Sequence, residues 1–138
     1  MPTEFFLDSA YPIALVSTTD QHHAVAAKNA ASLKAKPARL ITTRAVLLEI
    51  GNASAKPHWR AVGIQLLTGF ENDPHIEIVP LDESLCRRGL SLFRDRTDKA
   101  WSWTDCISFV VMREKSLNAA LTSDQHFEQA GFTALLRK

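Results

Sequence analysis

Cysteine is scarce in this chain: Cys86 and Cys106 are its two. Two are too few for a disulfide scaffold and form no CxxC pair, so the usage fits a reduced, cytoplasmic protein. The five histidines, His22, His23, His58, His75 and His126, never fall at zinc spacing. Glycine is sparse too, at five residues. Neither GxGxxG nor GxxxxGK followed by Ser or Thr occurs, which removes support for a dinucleotide or Walker-type site. Charge of either sign is not in excess, since 16 Lys and Arg nearly cancel 15 Asp and Glu for a net +1. A bulk electrostatic nucleic-acid binder is thereby excluded, and any such site has to be a local patch. No apolar run approaches the ~18 residues that a membrane span requires. Met1–Val16 carries Glu4 and Asp8 and lacks a basic n-region, so it does not read as a secretory signal.

What is present is an ordinary globular composition, 46% hydrophobic and 22% charged. There is no repeat or linker, and residues 1–138 read as one domain. A chain of this length buries about two-thirds of its unfolded surface, enough for one core. Glu4–Leu7 reads as a buried strand that stops at Asp8. Asp8-Ser9-Ala10-Tyr11-Pro12 then reads as a cap and a helix start. Alanine-rich Asp20–Lys36 is a helix ended by Pro37. Arg39–Thr42 is a second strand, and Thr42 or Thr43 caps a helix over Arg44–Ala53. Another helix runs from about Pro57 to Glu71, and His75–Pro80 is a strand. Asp82 caps a helix to about Arg94, and a charged loop, Asp95–Lys99, follows. Ser102 or Thr104 caps a helix over Asp105–Lys115. Ala119–Leu121 is a short strand, Asp124–Ala130 a helix closed by Gly131, and Phe132–Leu136 a last strand. Short apolar strands alternating with helices imply a three-layer α/β/α domain with a doubly wound, mainly parallel sheet. Ligands in such sheets bind outside the carboxyl ends of the strands.

Acids gather where those ends fall. Asp8 follows the first strand, Asp124 follows the fourth by way of Thr122 and Ser123, Asp105 opens a helix, and Glu49 lies one to two turns into the helix after the second strand. Asp8 and Asp124 can equally be N-caps, and Asp105 a first-turn acid favoured by the helix dipole. Glu49 interrupts Ala45-Val46-Leu47-Leu48-Glu49-Ile50, so it should be partly buried and in need of a partner or a cation. Asn52 lies three residues on, on the same face, and can supply a neutral ligand or an orienting amide.

Four segments together resemble a PIN domain, in the family's order and at its spacings over nearly the whole chain. They are Phe6-Leu7-Asp8-Ser9-Ala10-Tyr11, Thr43-Arg44-Ala45-Val46-Leu47-Leu48-Glu49, Trp103-Thr104-Asp105-Cys106-Ile107-Ser108-Phe109 and Leu121-Thr122-Ser123-Asp124-Gln125-His126-Phe127. The chain is similar to small members typified by VapC-like toxins. The resemblance implies a parallel sheet between helices and metal-dependent cleavage of RNA. It carries over Asp8, Glu49, Asp105 and Asp124 as the catalytic, metal-binding acids, with Ser9, Thr104 and Thr122 beside them holding water or phosphate. It also implies a homodimer and an antitoxin partner.

The chemistry is coherent. Mg²⁺ or Mn²⁺ takes oxygen ligands, offsets the repulsion between carboxylates and activates water, so no Ser or Cys nucleophile is needed. Asp8 and Asp105 are expected as principal ligands, with Glu49 and Asp124 binding directly or through water. The alternatives are a housekeeping PIN nuclease in RNA processing, and a non-catalytic RNA- or protein-binding module that keeps the fold. Trp101-Ser102-Trp103 can offer a base-stacking surface or serve packing. Arg87-Arg88 and Arg94 to Lys99 can form a phosphate patch or a solvated face. His126, close to Asp124, can touch phosphate or merely cap a helix.

Overall fold

The computed structural model of the chain describes residues 3–137. Among them, five strands form one sheet: β1 (Glu4–Leu7), β2 (Arg39–Thr43), β3 (Ile76–Val79), β4 (Ala119–Leu121) and β5 (Thr133–Ala134). Their order is β3-β2-β1-β4-β5, and each neighbouring pair is parallel. The first strand is therefore central. The chain winds outward to β3 on one side of it, then returns to β4 and β5 on the other.

Seven helices make the crossovers: α1 (Ala10–Val16), α2 (His23–Ala35), α3 (Arg44–Ala53), α4 (Pro57–Asn72), α5 (Glu83–Asp95), α6 (Trp103–Glu114) and α7 (Gln125–Gln129). The strand alternation decides which helices go where, because successive side chains leave opposite faces. Phe6, Ile41 and Ala120 point to one face and pack with Val46 and Ile50 of α3, Leu85 of α5, Phe109 and Met112 of α6, and Phe127 of α7. Leu7 and Leu121, with Phe5, Leu40 and Ile76, point to the other and pack with Tyr11 and Ala14 of α1 and Ala26 of α2. Both faces of the sheet are covered, as the near-continuous apolar strands require.

Helix ends follow local chemistry. Asp82 caps α5 by accepting from the Leu85 N–H at 2.8 Å, and Thr43 caps α3 by accepting from Val46 at 3.2 Å. Gly89 lets α5 approach α6 closely, since a Cβ there would lie 2.5 Å from Ile107 Cγ1. Three expectations shift. The helix expected over Asp20–Lys36 begins only at His23, because Asp20 Oδ1 instead accepts from the His22 N–H at 2.8 Å in a preceding turn. The helix expected from Asp105 begins two residues earlier, with Ser102 as its cap. The strand expected over Phe132–Leu136 shrinks to Thr133–Ala134. Phe132 is consumed by the helix stop: its N–H donates to Phe127 O at 2.9 Å and that of Gly131, at φ 96°, to Glu128 O at 3.0 Å. This is the Schellman pairing.

Candidate metal and nucleic-acid site

The crevice lies where the strand order reverses, at the carboxyl ends of β1 and β4. Asp8 is the first residue beyond β1 and is 6% exposed. It does not cap α1: Ser9 stands at that position, with no side-chain cap bond. The Asp8 carboxylate turns instead toward β4, where Thr122 Oγ1 donates to its Oδ2 at 2.6 Å. The same hydroxyl accepts from the Asp124 N–H at 3.1 Å. One fully buried threonine thus ties the ends of both central strands to two of the acids.

The other acids come from the helices over the sheet. Glu49, half-buried on α3, accepts from Ser9 Oγ at 3.3 Å. Asp105, in the first turn of α6, closes a capping box with Ser102: its Oδ2 accepts from the Ser102 N–H at 3.1 Å, and its own N–H donates to Ser102 Oγ at 3.0 Å. Asp124 caps α7 by accepting from the His126 N–H at 2.8 Å. Asp124 is thus an N-cap and Asp105 a first-turn acid, as their positions in the chain allowed. His126 Nδ1 lies 3.0 Å from Asp105 Oδ2 and 3.3 Å from Asp124 Oδ1. One ligand atom from each of Asp105, Asp124 and His126 falls within 4.8 Å of the others.

The electrostatics record the convergence. Burial pushes the Asp8 carboxyl up from 3.8 to about 7, with the negative charges of Glu49 and Asp105 adding to it, while the Thr122 hydrogen bond pulls the other way. Burial also raises Glu49, helped by Asp105 and Asp124 and opposed by the Ser9 hydroxyl. Asp8 is thus coupled to Glu49 and Asp105, and Glu49 to Asp105 and Asp124. Desolvation, rather than mutual repulsion, is the largest cause.

Of the remaining residues named from the sequence, Ser9 and Thr122 orient acids, whereas Thr104 and exposed Asn52 line a cavity beside Glu49. His126 is more than a surface residue, and its only sequence signal was its place two positions after Asp124. The arginines are mostly spoken for: Arg87 pairs with Glu83 at 2.6 Å, Arg88 with Glu114 at 2.8 Å and Arg96 with Asp98 at 3.0 Å. Of the two readings of these charges, the ion pairs favour a solvated, self-neutralised face.

A parallel, doubly wound sheet with four acids at its switch point defines a class of α/β proteins with an acidic crevice. Within that class, residues 5–133 match the PIN domain model, and the chain belongs to the PIN domain family. No curated protein matches the sequence. Among solved structures, the chain is similar to Mycobacterium tuberculosis VapC20, a sarcin-ricin loop cleaving toxin, at 24% identity and a TM-score of 0.80, covering 94% of this chain and 96% of that one. It is also similar to VapBC2 from Rickettsia felis bound to a DNA fragment from their promoter, at 12% identity and a TM-score of 0.68, covering 96% and 97% of the two chains. FitAcB from Neisseria gonorrhoeae follows at 16% identity and a TM-score of 0.62, covering 94% of each.

Proposed function

We propose that this protein is a Mg²⁺- or Mn²⁺-dependent endoribonuclease that cleaves RNA phosphodiester bonds at Asp8, Glu49, Asp105 and Asp124, and that it is the toxin of a toxin–antitoxin pair. The observation that carries the proposal is the convergence of four acids on one crevice, with Asp8 buried and its carboxyl raised to about 7. Burying a carboxylate beside others is costly unless a cation offsets it. The donor set suits a divalent ion: carboxylate oxygens of Asp105 and Asp124 and one imidazole nitrogen of His126 lie within 4.8 Å of one another, and the carboxylates of Asp8 and Glu49 are coupled to them. Asp8, Glu49, Asp105 and Asp124 would hold that ion. Bound there, it would supply polarisation of the phosphate and a more acidic water at neutral pH.

The chain's own groups do the positioning. Thr122 fixes the rotation of the Asp8 carboxylate by donating to Oδ2. Ser9 does the same for Glu49 through Oε1. The Ser102 capping box holds the Asp105 oxygens in place. His126 Nδ1 lies within reach of both Asp105 and Asp124, so one imidazole contacts the two acids. Such prepositioning lowers the reorganisation a reaction would require.

The toxin role rests on PIN membership and on the likeness in fold to VapC20. With it go a homodimer, a cytoplasmic location and an antitoxin whose segment covers the crevice with an Arg, the side chain best shaped to pair two carboxylate oxygens. Among the described residues, no helix is long and apolar enough to cross a membrane. The test is incubation of labelled single-stranded RNA with the protein in Mn²⁺, in excess EDTA, and with Asp8→Asn in Mn²⁺. Internal cleavage confined to the first condition is expected. Undiminished cleavage in EDTA, or by the Asn variant, would overturn the assignment.

A further inference from the structure

Trp101 and Trp103 stand two residues apart and meet opposite fates. Trp101 is 3% exposed. Its Nε1–H donates to Gln129 Oε1 at 3.0 Å, and its ring packs edge-on against Phe109. Trp103 is 43% exposed. Its one donor is already used, since Nε1–H donates to the Cys86 carbonyl at 3.0 Å, which anchors the indole by its edge. Trp103 lines a cavity of about 250 Å³ together with Leu48, Glu49, Asn52 and Thr104. Leu48, on α3, is itself 55% exposed. Glu49 belongs to both the cavity wall and the carboxylate cluster, so the two are continuous.

We propose that this cavity receives one unpaired nucleobase of the RNA strand, stacked on the Trp103 indole with the Asn52 amide at the base edge. The proposal rests on the nuclease function proposed above and names the substrate feature recognised beside that site. Three observations favour a base over other occupants. An edge-anchored indole is a ready stacking platform, and a neutral amide offers both a donor and an acceptor, which suits the edge of a heterocycle. The space is smaller than pockets that hold drug-sized ligands, typically about 300–1,000 Å³, and suits a single ring system. Finally, attraction to phosphate is weak here. The net charge is +1, Arg87 and Arg88 of α5 are paired with acids, and the crevice is lined by carboxylates. Affinity for RNA then has to come from base contacts more than from the backbone. Stacking in this cavity requires a base free of its helix, so the strand is single-stranded or looped at that point.

The test measures equilibrium binding of short single-stranded oligoribonucleotides in EDTA, against an abasic ribose-phosphate strand of equal length. The proteins are the parent, Trp103→Ala and Trp103→Phe, each checked for folding by thermal melt. The parent should prefer the base-bearing strand by roughly tenfold or more. Trp103→Ala should lose that preference, and Trp103→Phe should restore most of it. In Mn²⁺, mapped cut sites of the parent should show a base preference at one position near the cut, flattened in Asn52→Ala. Equal binding of base-bearing and abasic strands by the parent, or full preference in Trp103→Ala, would overturn the proposal. Should base-dependent binding through Trp103 be found without any cleavage in Mn²⁺, the nuclease proposal fails and the cavity stands as a site for an unpaired base.

Discussion

The burial of Asp8 makes the metal-free protein's stability depend on pH in a calculable way. Its carboxyl binds a proton more tightly folded than unfolded, because the folded value is about 7 against an ordinary 3.8. A group raised in this way contributes stability that is fully present below its unfolded pKa and is lost as pH rises through its folded pKa. The shift of about 3 pH units corresponds to a full swing of about 4 kcal/mol. Going from about pH 8 down to pH 5 should recover roughly 2–3 kcal/mol of it, about 10 °C in melting temperature for a domain of this size. Asp8→Asn keeps the shape and the acceptor for Thr122 but removes the titration. In EDTA near pH 8 the Asn variant should therefore melt well above the parent, and the gap should narrow by about 10 °C as the pH approaches 5. Glu49 remains in both proteins and is coupled to Asp8, so the difference between the curves reports the Asp8 charge together with that coupling. Added Mn²⁺ should close the gap from the other side, stabilising the parent by about 2.7 kcal/mol at a hundredfold excess over Kd and the variant by much less. Thermal melts across that pH range decide the matter. If the variant melts at or below the parent near pH 8, or the two curves run parallel, the charge at Asp8 is not being held against a cost.

Other substitutions test neighbouring parts. Glu49→Gln should abolish most cleavage while the melt stays within a few degrees of the parent, and turnover within about twofold of the parent would mark Glu49 as structural. Gly89→Ala should force a shift between α5 and α6, because the new Cβ would lie 2.5 Å from Ile107 Cγ1. A loss of about 1–3 kcal/mol in urea unfolding is expected there, and an unchanged midpoint would show that α5 moves freely. Ser116 holds φ at 56° in the turn after α6, where its N–H donates to Arg113 O and that of Leu117 to Met112 O. Ser116→Gly should relieve the left-handed strain and stabilise by about 0.5–1 kcal/mol by the same assay, and a destabilised variant would refute the strain.

Local chemistry made much of this molecule readable. Glu4–Leu7 and Ala119–Leu121 appear with the expected bounds because their apolar runs are bracketed by polar residues, and Arg44–Ala53 because Thr43 supplies its cap. The strand-end rule singled out Asp8 and Asp124, while Glu49 stood out as an acid in an apolar helix and Asp105 as the opening of one. What stayed hidden depends on packing between distant elements. Trp101 and Trp103 share the same neighbourhood in the chain, and only the docking of α6 against α7 and α5 decides that one is buried and the other open. His126 meets Asp105 across 21 residues, a contact set by how α7 sits on α6. Ser102 sets the start of α6 through a box that also occupies Asp105, and spacing alone does not separate a cap from a ligand when one residue serves as both.

The Thr122–Asp8 bond spans 114 residues of chain. Synthesis proceeds from the amino end, so the elements of this domain emerge in chain order. Asp8 emerges before the hydroxyl that orients it and the acid beside it, which come only with β4 and α7. Leu136, whose N–H donates to Thr122 O at 3.0 Å, then secures that strand end from outside. An unfinished chain, halted anywhere before β4, carries Asp8, Glu49 and Asp105 at most, and lacks Thr122, Asp124 and His126. For a protein proposed to cut RNA, the site is therefore complete only once β4 and α7 have been made.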